Sequence, residues 1–274
     1  MKNALSLSLI IALVASSSLA EQKIPSKQTK ITSNALRVIT NEANVLGAIL
    51  IYDLSQDIYY SNDFEWSAMG QLPASTFKIP NTIIGLETGV IKDETTVFEW
   101  DGTSKRFKSW EQDMVLQDAF HNSCVPCYRQ VARQIGTKQM NAHLRELGFG
   151  KMDVSDSSLD MFWLMGESTI SPFEQLHFLV NFYNKALPIS DRTHAIVKNM
   201  MVMEQTATHQ ISGKTGWSVN GDKNNGWFVG YLVKDGNAYF FASNIEPSAS
   251  FDIRNFSFIR TQITYDALRA LDML

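Results

Sequence analysis

The sequence is poor in cysteine. Its 274 residues hold two, Cys124 and Cys127, spaced C-x-x-C inside "HNSCVPCYRQ". With no second cysteine pair and no nearby histidine pair, the spacing argues against a structural zinc site. The helical patterns on either side do not supply the βαβ setting of a thioredoxin-like redox centre. A local disulfide and a pair of buried thiols both remain open. The five histidines, at 121, 143, 177, 194 and 209, form no H-x-H or H-E-x-x-H spacing, so no metal is implied. No block of like charge occurs and the formal net charge is -4, which argues against a nucleic-acid or anionic-membrane partner. Past the N-terminus no apolar run is long enough to span a bilayer, and no internal repeat is visible.

What is present is a globular composition, 45% hydrophobic and 19% charged, with enough chain for one large domain or two joined lobes. "MKNALSLSLIIALVASSSLA" has one basic residue, Lys2, an apolar stretch to Val14 and a small-residue end at Ser18-Leu19-Ala20. It reads as a signal peptide over 1–20, cleaved after Ala20, ahead of a single catalytic domain over 21–274. The expectation is an exported, periplasmic protein with no stable membrane insertion after cleavage.

Periodicity gives an amphipathic helix from Lys30 to Asn44, then two paired strands, "VLGAILIYD" and "DIYYSND". Helical patterns dominate from Ser75 to about Met203. Gly136 breaks one of them, and Ser171 with Glu174 makes a capping box ahead of another. "TATHQISGKTGW", "GWFVGYLVKD" and "NAYFFASNIE" read as an antiparallel meander. A C-terminal helix follows, with Phe256, Ile259, Ile263, Leu268 and Leu271 as its stripe. The implied class is α+β: an antiparallel sheet built from both chain ends, with flanking helices and a helical lobe (about 75–203) inserted. A cleft between sheet and lobe is the natural place for a site.

Three short motifs could carry chemistry there. In "LPASTFKIPN", Ser75 and Lys78 share a helix face at i and i+3, so the amine can reach the hydroxyl. Serine needs a base to become a nucleophile, and lysine serves only when neutral. S-x-x-K arises about once by chance in a chain this long, so the motif decides nothing alone. In "SGKTGW", Lys214 and Thr215 offer charge and a hydroxyl to a carboxylate, while Gly216 lets a substrate lie against the strand. In "NSCVPC", Ser123 is either a helix N-cap or a hydroxyl that relays a proton between Lys78 and a leaving group.

Together, in the order S-x-x-K, second serine motif, K-T-G, they form the pattern of the serine-active penicillin-recognising proteins. Within that superfamily the sequence resembles the class D (oxacillinase-type) β-lactamases over nearly the whole mature chain. The resemblance rests on "PASTFKIPNTIIGLETGVI", "FEWDG", "FWLMGESTIS", "GKTGW" and "GWFVGY". The second motif, Ser123-Cys124-Val125, is of the S-x-V type, and no E-x-x-x-N element follows residue 150. One departure is Phe149-Gly150-Lys151 where the family usually has Y-G-N.

The resemblance implies hydrolysis of β-lactam antibiotics through an acyl-enzyme on Ser75. It implies no cofactor other than carbon dioxide, which carboxylates Lys78 into an anionic base held by Trp163. Backbone N–H groups of Ser75 and Trp217 would form the oxyanion hole. Lys214, Thr215 and Arg254 would hold the substrate carboxylate, with Gly216 leaving room for the substrate along the strand, and Val125 would pack over Lys78. A slowly deacylating sensor domain or cell-wall peptidase is the alternative that shares the motifs.

Overall fold

The computed structural model describes residues 28–274, so the leader reading on 1–20 lies outside the described residues. The strands are β1 (Thr29–Thr32), β2 (Val45–Asp53), β3 (Ile58–Ser61), β4 (Val97–Phe98), β5 (Met114–Val115), β6 (Val202–Gln205), β7 (His209–Asn220), β8 (Lys223–Lys234) and β9 (Asn237–Pro247). The helices are α1 (Asn34–Glu42), α2 (Phe64–Ser67), α3 (Lys78–Glu87), α4 (Leu116–His121), α5 (Val125–Leu147), α6 (Pro172–Tyr183), α7 (Asp191–Met200) and α8 (Phe256–Ala270).

Seven strands make one sheet in the order β1-β3-β2-β9-β8-β7-β6, while β4 and β5 form a separate two-stranded ladder. The sheet thus takes strands from both chain ends, and α2 to α7 lie between them in sequence. It departs from the expected antiparallel sheet at one edge, where β1 pairs with β3 in parallel. The helix expected from Lys30 also starts later, because Ser33 caps α1 through its side chain and the four residues before it are strand. Thr29, Ile31 and Thr32 are β-branched or polar and suit a short, exposed edge.

Alternation along β8 separates two cores. Trp227, Val229 and Tyr231 face the helical lobe and pack with Phe77, Trp163 and Phe178. Phe228 and Leu232 face the other way, against Leu36 of α1 and Phe256, Ile263 and Leu268 of α8. The capping box at Ser171 and Glu174 is formed in full. Gly136 holds φ 77° and ψ 158°, a non-helical conformation that kinks α5 where the sequence predicted a break.

The departure at Phe149-Gly150-Lys151 is explained by packing. Phe149 is buried edge-on against Phe77 and Phe178. Gly150 sits at φ 55°, and a Cβ there would fall 2.6 Å from Thr169 O. Lys151 exchanges backbone hydrogen bonds with Thr169 at 2.8 Å. These backbone roles do not depend on the third side chain being asparagine.

Candidate active site

The chain approaches α3 through a 3-10 turn, Ala74–Phe77. Ala74 takes φ 50°, a left-handed conformation that costs an L-residue about 1 to 2 kcal/mol. Its N–H donates to Trp163 O at 2.8 Å, which anchors the turn to the helical lobe. Ser75 and Lys78 then lie on one face, and Lys78 Nζ stands 3.0 Å from Ser75 Oγ. Lys78 is fully buried, over the ring of Tyr128 at 5.0 Å. Burial pushes its amine down from 10.5 to about 7, so much of it is neutral near neutral pH. A base is therefore present beside the hydroxyl.

Strand β7 forms the opposite wall. A Cβ on Gly216 would lie 3.2 Å from Pro73 O and 3.3 Å from Ser75 N, so glycine lets the strand pass close to Ser75 where any side chain would push the two apart by a few tenths of an ångström. Lys214 projects into the site, donating to Ser123 Oγ at 2.5 Å and to Thr215 O at 3.1 Å. Burial, followed by the charges of Lys78 and Arg260, holds its amine well below the usual lysine range. Ser123 stands on the turn between α4 and α5, also left-handed, at φ 52°. Cys124 and Cys127 are joined as a disulfide, and among the described residues no cysteine is free.

Ser75, Ser123, Val125, Thr215 and Trp217 all line one cleft of about 1070 Å³. Trp100, Phe107 and Met165 rim it with exposed apolar surface. Trp217 turns its indole N–H to Asn224 Oδ1 at 2.9 Å and sets its ring edge-on to Phe256. Trp163 is wholly buried with its ring stacked on Phe77, and its Nε1 has no hydrogen-bond partner. A buried donor without a partner is costly and points to an absent acceptor.

Arg254 is the one sequence-predicted site residue that the structure leaves outside. It sits in a 3-10 turn, Ile253–Asn255, with its guanidinium exposed and clasped by Asp252 at 2.6 and 2.9 Å. The cationic side chain that reaches the cleft from this part of the chain is Arg260, whose Nη1 donates to Gly216 O at 2.7 Å. Burial lowers its guanidinium to about 10. The helical period held the signal: Phe256, Arg260, Ile263 and Ala267 share the sheet-facing side of α8, whereas Arg254 precedes the helix. Tyr128 was also missed. It is fully buried beneath Lys78, with its hydroxyl 2.8 Å from Thr82 Oγ1.

Comparison with known proteins agrees with this geometry. Residues 46–268 match the penicillin binding protein transpeptidase domain family. The chain is 40% identical over 205 residues to β-lactamase OXA-10 of Pseudomonas aeruginosa, covering 74% of this chain and 77% of that one. To β-lactamase OXA-48 of Klebsiella pneumoniae it is 38% identical over 204 residues, with the same coverage. A class D β-lactamase from Sebaldella termitidis superposes with a TM-score of 0.85 at 35% identity, covering 90% of this chain and 99% of that one. The class D enzyme YbXI from Nostoc gives 0.83 at 37%, covering 87% and 99%. The chain belongs to the class D β-lactamases. Its activity is therefore hydrolysis of the β-lactam amide. Among the described residues of this β-lactamase no three His, Cys, Asp or Glu side chains gather as a metal group, and no helix is long and apolar enough to cross a membrane.

Proposed function

We propose that the enzyme hydrolyses penicillin-type antibiotics through an ester on Ser75, in an exported, periplasmic protein. The observation that carries the mechanism is the fully buried Lys78 amine, 3.0 Å from Ser75 Oγ and lowered to about 7. Lys78 takes the serine proton, and Ser75 Oγ attacks the β-lactam carbonyl. The backbone N–H groups of Ser75 and Trp217 stabilise the developing oxyanion, each such donor contributing ~3 to 4 kcal/mol. Lys214, Thr215 and Arg260 bind the carboxylate beside the ring. Ser123, bonded to Lys214, passes a proton to the departing nitrogen.

The pocket around Lys78 also fits a carboxylated lysine. The amine is neutral enough to react with carbon dioxide, and Trp163 Nε1 is a buried donor without a partner. Carboxylated on Nζ, Lys78 would supply an anionic base for Ser75 and for the hydrolytic water, with Trp163 holding it. Val125, which lines the cleft beside Ser123, would pack over Lys78 and limit the water there. Export is supported by the leader-like sequence over 1–20 and by the Cys124–Cys127 disulfide, which persists in oxidising compartments.

The test is penicillin turnover by the purified chain, with acyl-enzyme mass followed in time, with and without bicarbonate. Turnover that rises with bicarbonate and vanishes in Ser75→Gly is expected. Unchanged turnover in Ser75→Gly would overturn the assignment. Indifference to bicarbonate, together with full activity in Lys78→Ala, would remove the carboxylated base. Recovery of the protein from the periplasmic fraction with Glu21 as its first residue tests export.

A further inference from the structure

The disulfide lies where the mechanism gives it no task. Cys124 is the middle residue of the second serine motif, and both cysteines line the cleft next to Ser123 and Val125. We propose that Cys124 and Cys127 are positioning residues, whose disulfide holds Ser123 in the orientation that joins it to Lys214 during acylation. The proposal rests on the reading of Ser123 as the proton relay.

The turn that carries Ser123 is costly, and its hydrogen bonds tie it to one side. At φ 52° a serine is strained, and such strain persists only where the surroundings over-determine it. Asn122 N–H donates to Asp118 O at 2.8 Å, Ser123 N–H to Phe120 O at 3.2 Å and Cys124 N–H to Ala119 O at 2.8 Å, while the Trp110 indole donates to Asn122 O at 3.0 Å. These ties run back to α4 and the loop before it, and none of them reaches the first turn of α5. The next element begins weakly. Cys124 is the N-cap of α5, accepting from Cys127 N–H at 3.2 Å through sulfur. Sulfur is a poor acceptor compared with the oxygens that usually cap helices. Here the covalent bond replaces what the cap does not provide, fixing the first turn of α5 directly behind Ser123.

Global stability is a poor explanation for this bridge. The two cysteines are three residues apart, and a loop that short constrains the unfolded chain least. Its effect falls instead on local geometry, at the residue whose hydroxyl is hydrogen-bonded to the Lys214 amine. A hydrogen bond is steeply sensitive to distance and angle, so a small rotation of the turn breaks it. Of the three groups assigned to the substrate carboxylate, Thr215 and Arg260 have no contact with Ser123, and Lys214 keeps a second bond to Thr215 O at 3.1 Å when its bond to Ser123 is lost. Loosening the disulfide should slow acylation and leave binding intact.

The experiment reduces the folded full-length enzyme with a trialkylphosphine. Two electrons from phosphorus convert the disulfide into two thiols, confirmed by alkylation and mass, and water supplies the oxygen of the phosphine oxide. Acylation rate and pre-acylation affinity for a chromogenic cephalosporin are measured by stopped flow, in wild type and in Ser123→Ala, oxidised and reduced. The expected result in wild type is a tenfold or larger fall in acylation rate, an affinity within about threefold, and recovery on reoxidation. In Ser123→Ala reduction should add little, because the residue being positioned is already gone. Wild-type acylation within twofold after reduction would overturn the proposal. So would an equal fall in both backgrounds, which would mean that the bridge acts independently of Ser123. If oxidised Ser123→Ala acylates at the wild-type rate, the relay assignment itself fails, whatever the effect of reduction. Should reduction unfold the protein, Cys124→Ala/Cys127→Val, assayed below its thermal midpoint, replaces it under the same criteria.

Discussion

Replacing Lys78 with methionine should make the protein more stable, and the gain should shrink as pH rises. Lys78 is fully buried and its amine is lowered from 10.5 to about 7 by burial alone. A lysine lowered in the folded state works against folding wherever the unfolded chain would hold the proton. Below about pH 7 both states are charged and the penalty is complete. Between 7 and 10.5 the unfolded chain binds more protons, so wild-type stability rises with pH. Above 10.5 both states are neutral and the penalty is gone. Linkage then gives a penalty of about 4 kcal/mol at pH 7 and about 2 kcal/mol at pH 9. Methionine keeps an unbranched apolar chain of similar length and has nothing to ionise. Lys78→Met should therefore exceed wild type by roughly 8 to 16 °C in thermal midpoint at pH 7, and by about half that at pH 9. The assay is thermal and urea unfolding of both proteins in buffer freed of carbon dioxide, with turnover abolished in the variant. A variant no more stable than wild type at pH 7, or a difference that does not change by pH 9, would refute the burial argument.

Arg260→Ala should raise KM for carboxylate-bearing β-lactams by about 10- to 100-fold, the loss of one charged hydrogen bond. Arg254→Ala should leave the kinetics within twofold, and the reverse pattern would restore Arg254 to the site. Gly216→Ala should cut the acylation rate by at least tenfold with little change in thermal midpoint, since its Cβ would lie 3.3 Å from Ser75 N. An active Gly216→Ala enzyme would mean that β7 does not deliver the oxyanion donor. Trp163→Phe keeps the stack on Phe77 and removes the indole N–H. It should weaken carbon-13-labelled carbon dioxide uptake on Lys78, seen as loss of the carbamate resonance, and unchanged uptake would free Trp163 of that role.

The sequence announced the site through three motifs whose residues are far apart in the chain and adjacent in the cleft. Ser75 and Lys78 were legible because a helix face sets their distance. Lys214 and Gly216 were legible because strand alternation places them on β7. The helices of the lobe and the meander of β7, β8 and β9 followed from periodicity for the same reason. Arg254 was misjudged because proximity to a helix start says nothing about which way a side chain faces. Asp252, two residues away, captures it, and that local ion pair carries no sequence period. Tyr128 escaped notice because a buried aromatic on an apolar helix face reads as core, and only its place beneath Lys78 distinguishes it. The parallel pairing of β1 was invisible too, being a contact across the sheet edge between strands of four residues each.

The residues that gave the site away are those that folding alone would not have chosen. Two lysines are buried without a carboxylate partner, and both amines are pushed down toward the neutral form. Alanine and serine occupy left-handed positions at residues 74 and 123, beside the two active-site hydroxyls. An indole N–H is buried with nothing to bond. Each is a local loss that packing elsewhere must offset, here through the two apolar cores on either face of β8. The cost is also what makes the chemistry possible. In the proposed mechanism a lysine in water would be a cation at pH 7 and could not accept the Ser75 proton, and a relaxed turn would not aim Ser123 at Lys214. Stabilising substitutions should therefore concentrate at these positions, with activity lost at the same ones. Lys78→Met is the sharpest instance, since one buried charge accounts for both the predicted gain and the predicted loss.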